Sequence, residues 1–310
     1  MPTIGRPKSL ERLLESLVGQ TLPVDEVIVA DGSGSVETRD LISQPRWASA
    51  GLRVRWLTVT PPSAVRQRIA AIAQARGSLL LLLDDDVVLE PDCVQEMVAL
   101  IGGSDDIVAV FADITNIRWP GPTKAWRFVL RHGMGIRGRD WQGRVIGPLL
   151  RFGFDPVPPA PRVVDWIGAG SSLVRLSAYH RSGGFSTFFL DRSSIHEDVD
   201  LALRLKKIGQ ILFCPYARLA HYQDHGGRVS VSDAAEDDLH NRFWVLHKTR
   251  GLSLLKALSW VIAFFVIETA ANLASAASGR PPRGDWARFR GRSRALGRVL
   301  WSLTIGTRPS

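Results

Sequence analysis

Five leucines run straight into three aspartates in "GSLLLLLDDDVVLEPD", Gly77 to Asp92. The apolar run is too short to cross a bilayer, which takes about 20 residues. It is the right length for a strand covered on both faces of an α/β sheet. In open α/β sheets, ligands bind beyond the carboxyl ends of the strands, where loops and helix N-termini converge. Three adjacent carboxylates there raise one another's pKa unless solvent or a cation relieves the charge. Mg²⁺ or Mn²⁺ takes one or two protein carboxylates and completes its shell with water and substrate phosphates, and Asp84 and Asp86, spaced D-x-D, are candidates to supply them. The same residues also suit a solvated acidic turn leading into a helix with Pro91 near its start.

The flanking sequence alternates between helical and strand periodicity. Leu10, Leu13, Leu14, Leu17 and Val18 recur at helical spacing and Gly19 follows as a stop. "EVIVA" (26–30) reads as a strand ending at Asp31-Gly32-Ser33, "VETRDLI" as a helix and "LRVRWLTV" as the next strand. "SAVRQRIAAIAQARG" is Ala-rich and helical, closed by Gly77. Parallel strands joined by helices are the expected result. With 310 residues, 45% of them hydrophobic, the chain is long enough to bury a full core.

Two cysteines, Cys93 and Cys214, lie far apart without a CxxC partner, which supports neither a disulfide framework nor a cysteine zinc site and fits a reducing, cytosolic setting. The net charge of +9 is concentrated in C-terminal arginines without any nucleic-acid-binding motif, so no nucleic-acid partner is expected. A second acidic group, Glu197, Asp198 and Asp200 in "HEDVDLALRLKKIG", suits the first turn of a helix ending near Lys206-Lys207 and Gly209. One of these carboxylates facing a cleft would equally serve as a general base.

Taken in order, "PTIGRPKSLERLLESLVGQT", "VDEVIVADGS", "AVRQRIAAIAQARGSLLLLLDDDVVLEPD", "GAGSSLVRLSAYHRSGGF", "EDVDLALRLKKIG" and "ARLAHY" resemble the family 2 glycosyltransferases over roughly the first two thirds of the chain. The resemblance implies a GT-A fold: a Rossmann-like, mostly parallel sheet with helices on both faces, here followed by a C-terminal helical segment. It implies that Asp31 recognises the nucleotide base of a nucleotide-sugar donor, with Thr3 and Arg6 lining the same pocket and Arg66 near the nucleotide. Asp84 and Asp86 match the metal and diphosphate site, with Asp85 between them, and His221 matches a histidine that completes the metal shell in some members. Asp198 matches the catalytic base, oriented by Glu197. Trp166 and Gly168 to Ser171 are expected to shape the acceptor side, although Trp166 also suits the core. The implied reaction is metal-dependent transfer of a single sugar, with inversion, to a hydroxyl of a glycan or lipid-linked acceptor. A noncatalytic nucleotide-binding relative and a sugar nucleotidyltransferase are the alternatives. The latter would show a Gly-rich basic triphosphate loop near the N-terminus, and none is visible.

Two departures stand out. The chain opens at "MPTIGRP", where the family has an apolar strand before Pro-Thr, so that first strand is expected to be missing and the natural start to lie upstream. The Gln-x-x-Arg-Trp motif of processive relatives is not matched by "HNRFWVLHK". The expected division is a glycosyltransferase domain over 1–250 (nucleotide-binding half 1–111, irregular lid-like loop region 112–165, catalytic half 166–250) and a helical, basic, membrane-associating tail over 251–310. "ALSWVIAFFVIETAANLASAAS" (257–278) is long enough to span a bilayer, but Glu268 within it would cost roughly 2.5 to 3.5 kcal/mol at mid-depth. Arg280, Arg283, Arg288, Arg290, Arg292, Arg294 and Arg298 follow, interleaved with Trp286, Phe289 and Trp301. That composition suits anionic lipid and a peripheral or single-span place at the cytoplasmic face of the cell membrane; the alternative is a soluble helical pair packed on the catalytic domain with a solvated basic tail, in a cytoplasmic protein.

Overall fold

The computed structural model describes residues 1–117, 119, 121–191, 193–223, 229–277 and 285–304. In chain order the elements are β1 (Pro2–Thr3), α1 (Pro7–Val18), β2 (Val27–Asp31), α2 (Val36–Ile42), α3 (Pro45–Ser49), β3 (Val54–Thr58), α4 (Ala64–Ile72), β4 (Leu79–Leu83), β5 (Val87–Leu89), α5 (Cys93–Gly102), β6 (Ile107–Ile114), α6 (Lys124–Gly133), β7 (Arg162–Val163), β8 (Ser171–Arg175), α7 (Leu176–Arg181), α8 (Glu197–Leu205), β9 (Gln210–His221), α9 (Val231–Trp244), α10 (Leu254–Ala277) and α11 (Asp285–Thr304).

The helices form where the periodicity places them. In α1 a proline opens the first turn, where its missing N–H costs nothing, and Gly19 ends the helix by donating to Glu15 O. The stripe Leu10, Leu13, Leu14, Leu17 is buried, and each leucine contributes about 1.5–3 kcal/mol on leaving water. Helix α4 starts at Ser63, whose hydroxyl accepts from Arg66 N, and ends at Ile72, before the expected stop at Gly77. Helix α8 is capped at Lys206 rather than Gly209. Gly209 instead packs against Asp106 O, where a Cβ would collide.

The chain divides into two compact units, Met1–Trp119 with Phe154–Arg228, and Pro120–Gly153 with Val229–Ser310. These boundaries fall elsewhere than the linear division at 250 because residues 120–153 pack with the C-terminal helices. In the first unit, β1-β2-β3 form a parallel sheet with Thr3 opposite Asp31 and Asp31 opposite Thr58. The second sheet, β4-β8-β6-β9-β5 with β7 on β9, is mixed: β6 and β9 are parallel, whereas β8 runs antiparallel to both β4 and β6. Only the β1-β2-β3 sheet is parallel throughout. The reversal has a physical source, because β8 enters from irregular chain and not through a helical crossover.

Strand β1 consists of Pro2-Thr3, paired in parallel with Ala30 and Asp31. Before them, a cavity of about 380 Å³ is lined by Met1, Val27 and Ile28 on one side and by Leu79 to Leu83 on the other. Leu79 and Leu81 are consequently only half-buried, whereas Leu80, Leu82 and Leu83 are buried.

In the second unit, Trp126, Leu130, Leu239, Phe243, Val261, Phe264, Ala295 and Val299 form one core across α6, α9, α10 and α11. The region 112–165, expected as an irregular loop, thus contributes a helix whose first turn is capped by Thr123. Among the described residues, α10 is the helix long and apolar enough to cross a membrane by length and composition. Its inward face carries Glu268, which accepts from Trp126 Nε1 at 2.9 Å and pairs with Arg292 at 3.6 Å.

Candidate active site

Strand β4 delivers Asp84, Asp85 and Asp86 into a turn before β5, and the three side chains go three ways. Asp85 is fully buried. It accepts from Thr3 Oγ1 at 2.6 Å and is gripped by Arg6, Nε to Oδ2 at 3.1 Å and Nη2 to Oδ1 at 2.5 Å. Burial pushes its carboxyl up to about 6, against the opposing pull of the Thr3 hydroxyl and Arg6. Asp85 thereby fixes the N-terminal segment to the end of β4.

Asp86 shares the Arg6 guanidinium with Asp85. Its Oδ2 meets Arg6 Nη1 at 3.3 Å and its Oδ1 lies 3.0 Å from His221 Nε2. The β5–β9 pairing sets Val87 opposite His221, so the histidine arrives by sheet register across 135 residues of chain. Asp84 rests on Gly170, where any Cβ would collide with its carboxylate. One ligand atom each from Asp84, Asp86 and His221 lie within 4.8 Å of one another. Two carboxylate oxygens and an imidazole nitrogen at that spacing suit a divalent cation, with remaining positions for water and substrate oxygens.

A residue that motif reading passed over joins this cluster to the second acidic group. Arg68 is buried, donates from Nη2 to Asp84 Oδ1 at 2.6 Å and from Nη1 to Glu197 Oε1 at 3.1 Å. Its pKa is raised: burial opposes the charge, but Asp84 and Glu197 outweigh it. Arg66 points elsewhere, to the exposed Asp191 at 2.8 Å. The signal was in the helix: Val65, Arg68 and Ile72 share the buried stripe of α4, and position 66 is off it.

Glu197 and Asp198 open α8 and are both buried. Asp198 Oδ1 accepts from Val199 N at 2.8 Å. The residue before them, His196, is buried in the left-handed region with φ 72°, a conformation non-glycine residues adopt at a cost and one that concentrates at functional sites. Asp200 pairs with Arg204 along the same helix.

Asp31 ends β2 beside Thr3 and is buried. It closes the Asp-Gly-Ser turn by accepting from Ser33 N at 2.8 Å and the Ser33 hydroxyl at 2.6 Å, and Trp56 Nε1 reaches it at 3.4 Å. Gln67 donates to Thr3 O and Ala30 O, locking β1 to β2 from α4. Trp166 is 1% exposed and packs against Phe111 and Trp119 at 4.9 and 5.1 Å. It is a core residue, and its faces are already covered. Gly170, also expected on the acceptor side, lies against the Asp84 carboxylate.

A parallel β1-β2-β3 sheet ending at the buried Asp31, followed by an Asp-rich strand end bridged to a Glu-Asp helix start, is the arrangement expected of a GT-A fold. The family model for Glycosyl transferase family 2 matches residues 1–153. The N-acetylglucosaminyl-diphospho-decaprenol L-rhamnosyltransferase of Mycobacterium tuberculosis is 27% identical over 266 residues, 76% of this chain and 82% of that protein. An uncharacterized protein, y4gI of Sinorhizobium fredii, is 28% identical over 229 residues, 72% of this chain; the chain spans only 24% of that relative's length. Among solved structures, the mannosyltransferase PcManGT from Pyrobaculum calidifontis, in complex with GDP-Man and Mn²⁺, shares the fold with a TM-score of 0.57 at 17% identity, over 97% of this chain and 86% of that one. S. aureus TarS 1-349 in complex with UDP-GlcNAc does so at 0.53 and 13%, over 100% and 91%. Over residues 1–153 the protein is a family 2 glycosyltransferase.

Proposed function

We propose that the protein transfers one sugar, with inversion, from a nucleoside-diphosphate sugar to a hydroxyl of a glycan or lipid-linked acceptor, at a centre that depends on Mg²⁺ or Mn²⁺. The observation that carries this reading is the convergence of Asp84, Asp86 and His221 within 4.8 Å, tied through Arg68 to the Glu197-Asp198 pair. The names of the similar proteins support it: one is a rhamnosyltransferase of a diphospho-decaprenol compound, and one structure holds GDP-Man and Mn²⁺.

In this reading Asp84, Asp86 and His221 hold the cation, which when bound offsets charge on the departing nucleoside diphosphate. Asp31, Thr3 and Arg6 form the nucleotide end, with Asp85 fixing Thr3 and Arg6 in place. Asp198 takes the proton from the acceptor hydroxyl as it attacks the anomeric carbon. Glu197, held by Arg68, keeps the start of α8 in register with the acidic turn. Inversion needs only this one base and no covalent enzyme intermediate. The helices of residues 251–304 attach the enzyme to the cytoplasmic face of a membrane, beside a lipid-linked acceptor.

The test is nucleoside diphosphate release across a panel of sugar nucleotides and acceptors, with and without chelator. Release that needs donor, acceptor and divalent cation together supports the reading. Pyrophosphate formed from a nucleoside triphosphate and a sugar phosphate would replace it with nucleotidyl transfer, and cation-independent nucleotide binding without release would replace it with a binding protein.

A further inference from the structure

Helix α10 is apolar on two opposite faces, and only one of them is covered. Ala257, Val261 and Phe264 point into the core of the second unit, and Glu268 continues that inward row at helical spacing. On the other side Leu255, Ile262, Val266 and Leu273 recur at intervals of seven, four and seven, and are 79%, 38%, 54% and 60% exposed. The Ser259 hydroxyl on that side is satisfied within the helix by Lys256 O. A helix that is hydrophobic all round needs apolar surroundings all round, and a stripe of this kind running the length of a 24-residue helix is far more than scattered surface leucines.

Helix α11 extends the same surface. Phe265 of α10 meets Phe289 at 5.8 Å, and Phe289 meets Trp286 at 6.0 Å, so an aromatic chain leads from α10 to the start of α11. Trp286 and Trp301 are 74% and 66% exposed, and by helical geometry Arg290 lies on the face between them. Exposed tryptophans beside arginine and an aliphatic stripe match the boundary between acyl chains and anionic headgroups.

We propose that α10 and α11 form an in-plane docking surface for an anionic bilayer, with α10 lying along the interface and not crossing it. This deepens the membrane attachment proposed above and rests on it. Glu268, which in the sequence looks like an obstacle inside a span, has its carboxylate turned to Trp126 and Arg292, away from the exposed stripe. The Arg242 guanidinium stacks over Phe264 at 3.9 Å on the same inward side and pairs with Asp238. A transmembrane placement would carry Arg242, Asp238, Arg292 and Glu268 to bilayer depth along with the helices packed on α10, whereas an in-plane placement leaves them above the headgroups. A second copy of the chain is the poorer occupant, because its own arginines would meet Arg290, whereas anionic lipid complements them.

The experiment is flotation of the full chain with vesicles of phosphatidylcholine alone and of phosphatidylcholine with phosphatidylglycerol, in low and high salt, followed by alkaline carbonate extraction. Binding should require the anionic lipid, weaken with salt and be released by carbonate. Ile262→Asp and Val266→Asp, both at exposed positions that leave the core intact, should each weaken vesicle binding by about tenfold or more. Arg290→Glu should reduce the preference for anionic lipid. Retention after carbonate would show a spanning helix and overturn the proposal. So would absence of vesicle binding together with a dimer that Val266→Asp dissociates, because the stripe would then be covered by a second copy. Nucleoside diphosphate release with a water-soluble acceptor, measured in parallel, reports on catalysis alone, so failure of lipid docking and failure of the transferase reading are separable.

Discussion

Each unit of this protein buries carboxylates against arginines, yet the two do opposite things with them. In the first, Asp84, Asp85 and Asp86 stand at a strand end and their oxygens are shared out: Asp85 wholly to Thr3 and Arg6, Asp84 to Arg68, Asp86 to Arg6 and His221. Atoms of Asp84, Asp86 and His221 remain grouped tightly enough to hold a cation. In the second, Glu236 meets Arg294 and Arg298, and Glu268 meets Arg292 and Trp126, across helix–helix seams. There the ion pairs cancel charge between packed helices. The comparison shows that a buried ion pair is not by itself a functional signal; what distinguishes the site is convergence of ligand atoms from separate elements on one point.

The sharpest way to break the comparison is at Asp198. Asp198→Asn keeps the side-chain shape and an oxygen for Val199 N, but cannot take the acceptor proton. Turnover should fall by about 10²- to 10⁴-fold with donor binding retained, as general-base catalysis contributes on that order. Steady-state rates alongside donor titration check it. A near-normal rate would place the base elsewhere and leave α8 an acidic helix start like any other.

Arg6 tests whether the first unit's pairs are also structural. Arg6→Ala strips the buried Asp85 of its main counter-charge, and breaking a buried pair from one side costs about 3–5 kcal/mol. The lower end is expected, since Arg6 is partly exposed and the Thr3 hydrogen bond persists. Adding Asp85→Asn should recover much of the loss in denaturant unfolding, because the charge left unpaired is then gone. No recovery would mean that Arg6 acts through packing alone.

These two residues also mark what the sequence could and could not disclose. The acidic turn and the Glu-Asp helix start were legible because an apolar strand running into carboxylates has few uses, and the α1 and α4 stripes were legible by spacing alone. Arg68 was within reach by the same stripe argument, because it shares the buried face of α4 with Val65 and Ile72 while Arg66 lies off it. The antiparallel entry of β8 and the transfer of 120–153 to the C-terminal unit were beyond reach, since partner choice between segments a hundred residues apart leaves no local periodicity. Glu268 shows this most plainly: within its own helix it reads as a charge stranded in an apolar run, and its partner Trp126 lies 142 residues away.

In the second unit the corresponding change is milder. Trp126→Phe keeps the ring in the α6 core but removes the Nε1 donor to Glu268. A hydrogen bond to a charged group is worth about 1.5–3 kcal/mol, and Arg292 remains to the carboxylate, so a loss of about 1.5 kcal/mol is expected. Hydrogen exchange should show the loosening in α6 and α10. Protection lost equally in β2 and β4 would instead mean that the two units unfold as one.

The smallest effect is expected where the first unit's lining is mostly aliphatic. The cavity of about 380 Å³ beside Val27, Ile28 and Leu79 to Leu83 lies directly before Pro2-Thr3, which already pair in parallel with Ala30 and Asp31. An engineered extension of four or five β-branched residues ahead of Met1 would continue β1 along β2 in the same register and fill that space. Each buried aliphatic side chain gains about 1.5–3 kcal/mol. Ordering each residue costs about 1.5 kcal/mol, so most of the gain is offset. A net increase of about 1 kcal/mol is expected, seen as a rise in Tm of a few degrees. An extension of the same length made of alternating Lys and Asp should give none, since charged side chains cannot occupy an aliphatic slot without counter-charges. Equal stabilisation by both extensions would show that the gain comes from moving the chain terminus, and that the slot between β2 and β4 does not select an apolar strand.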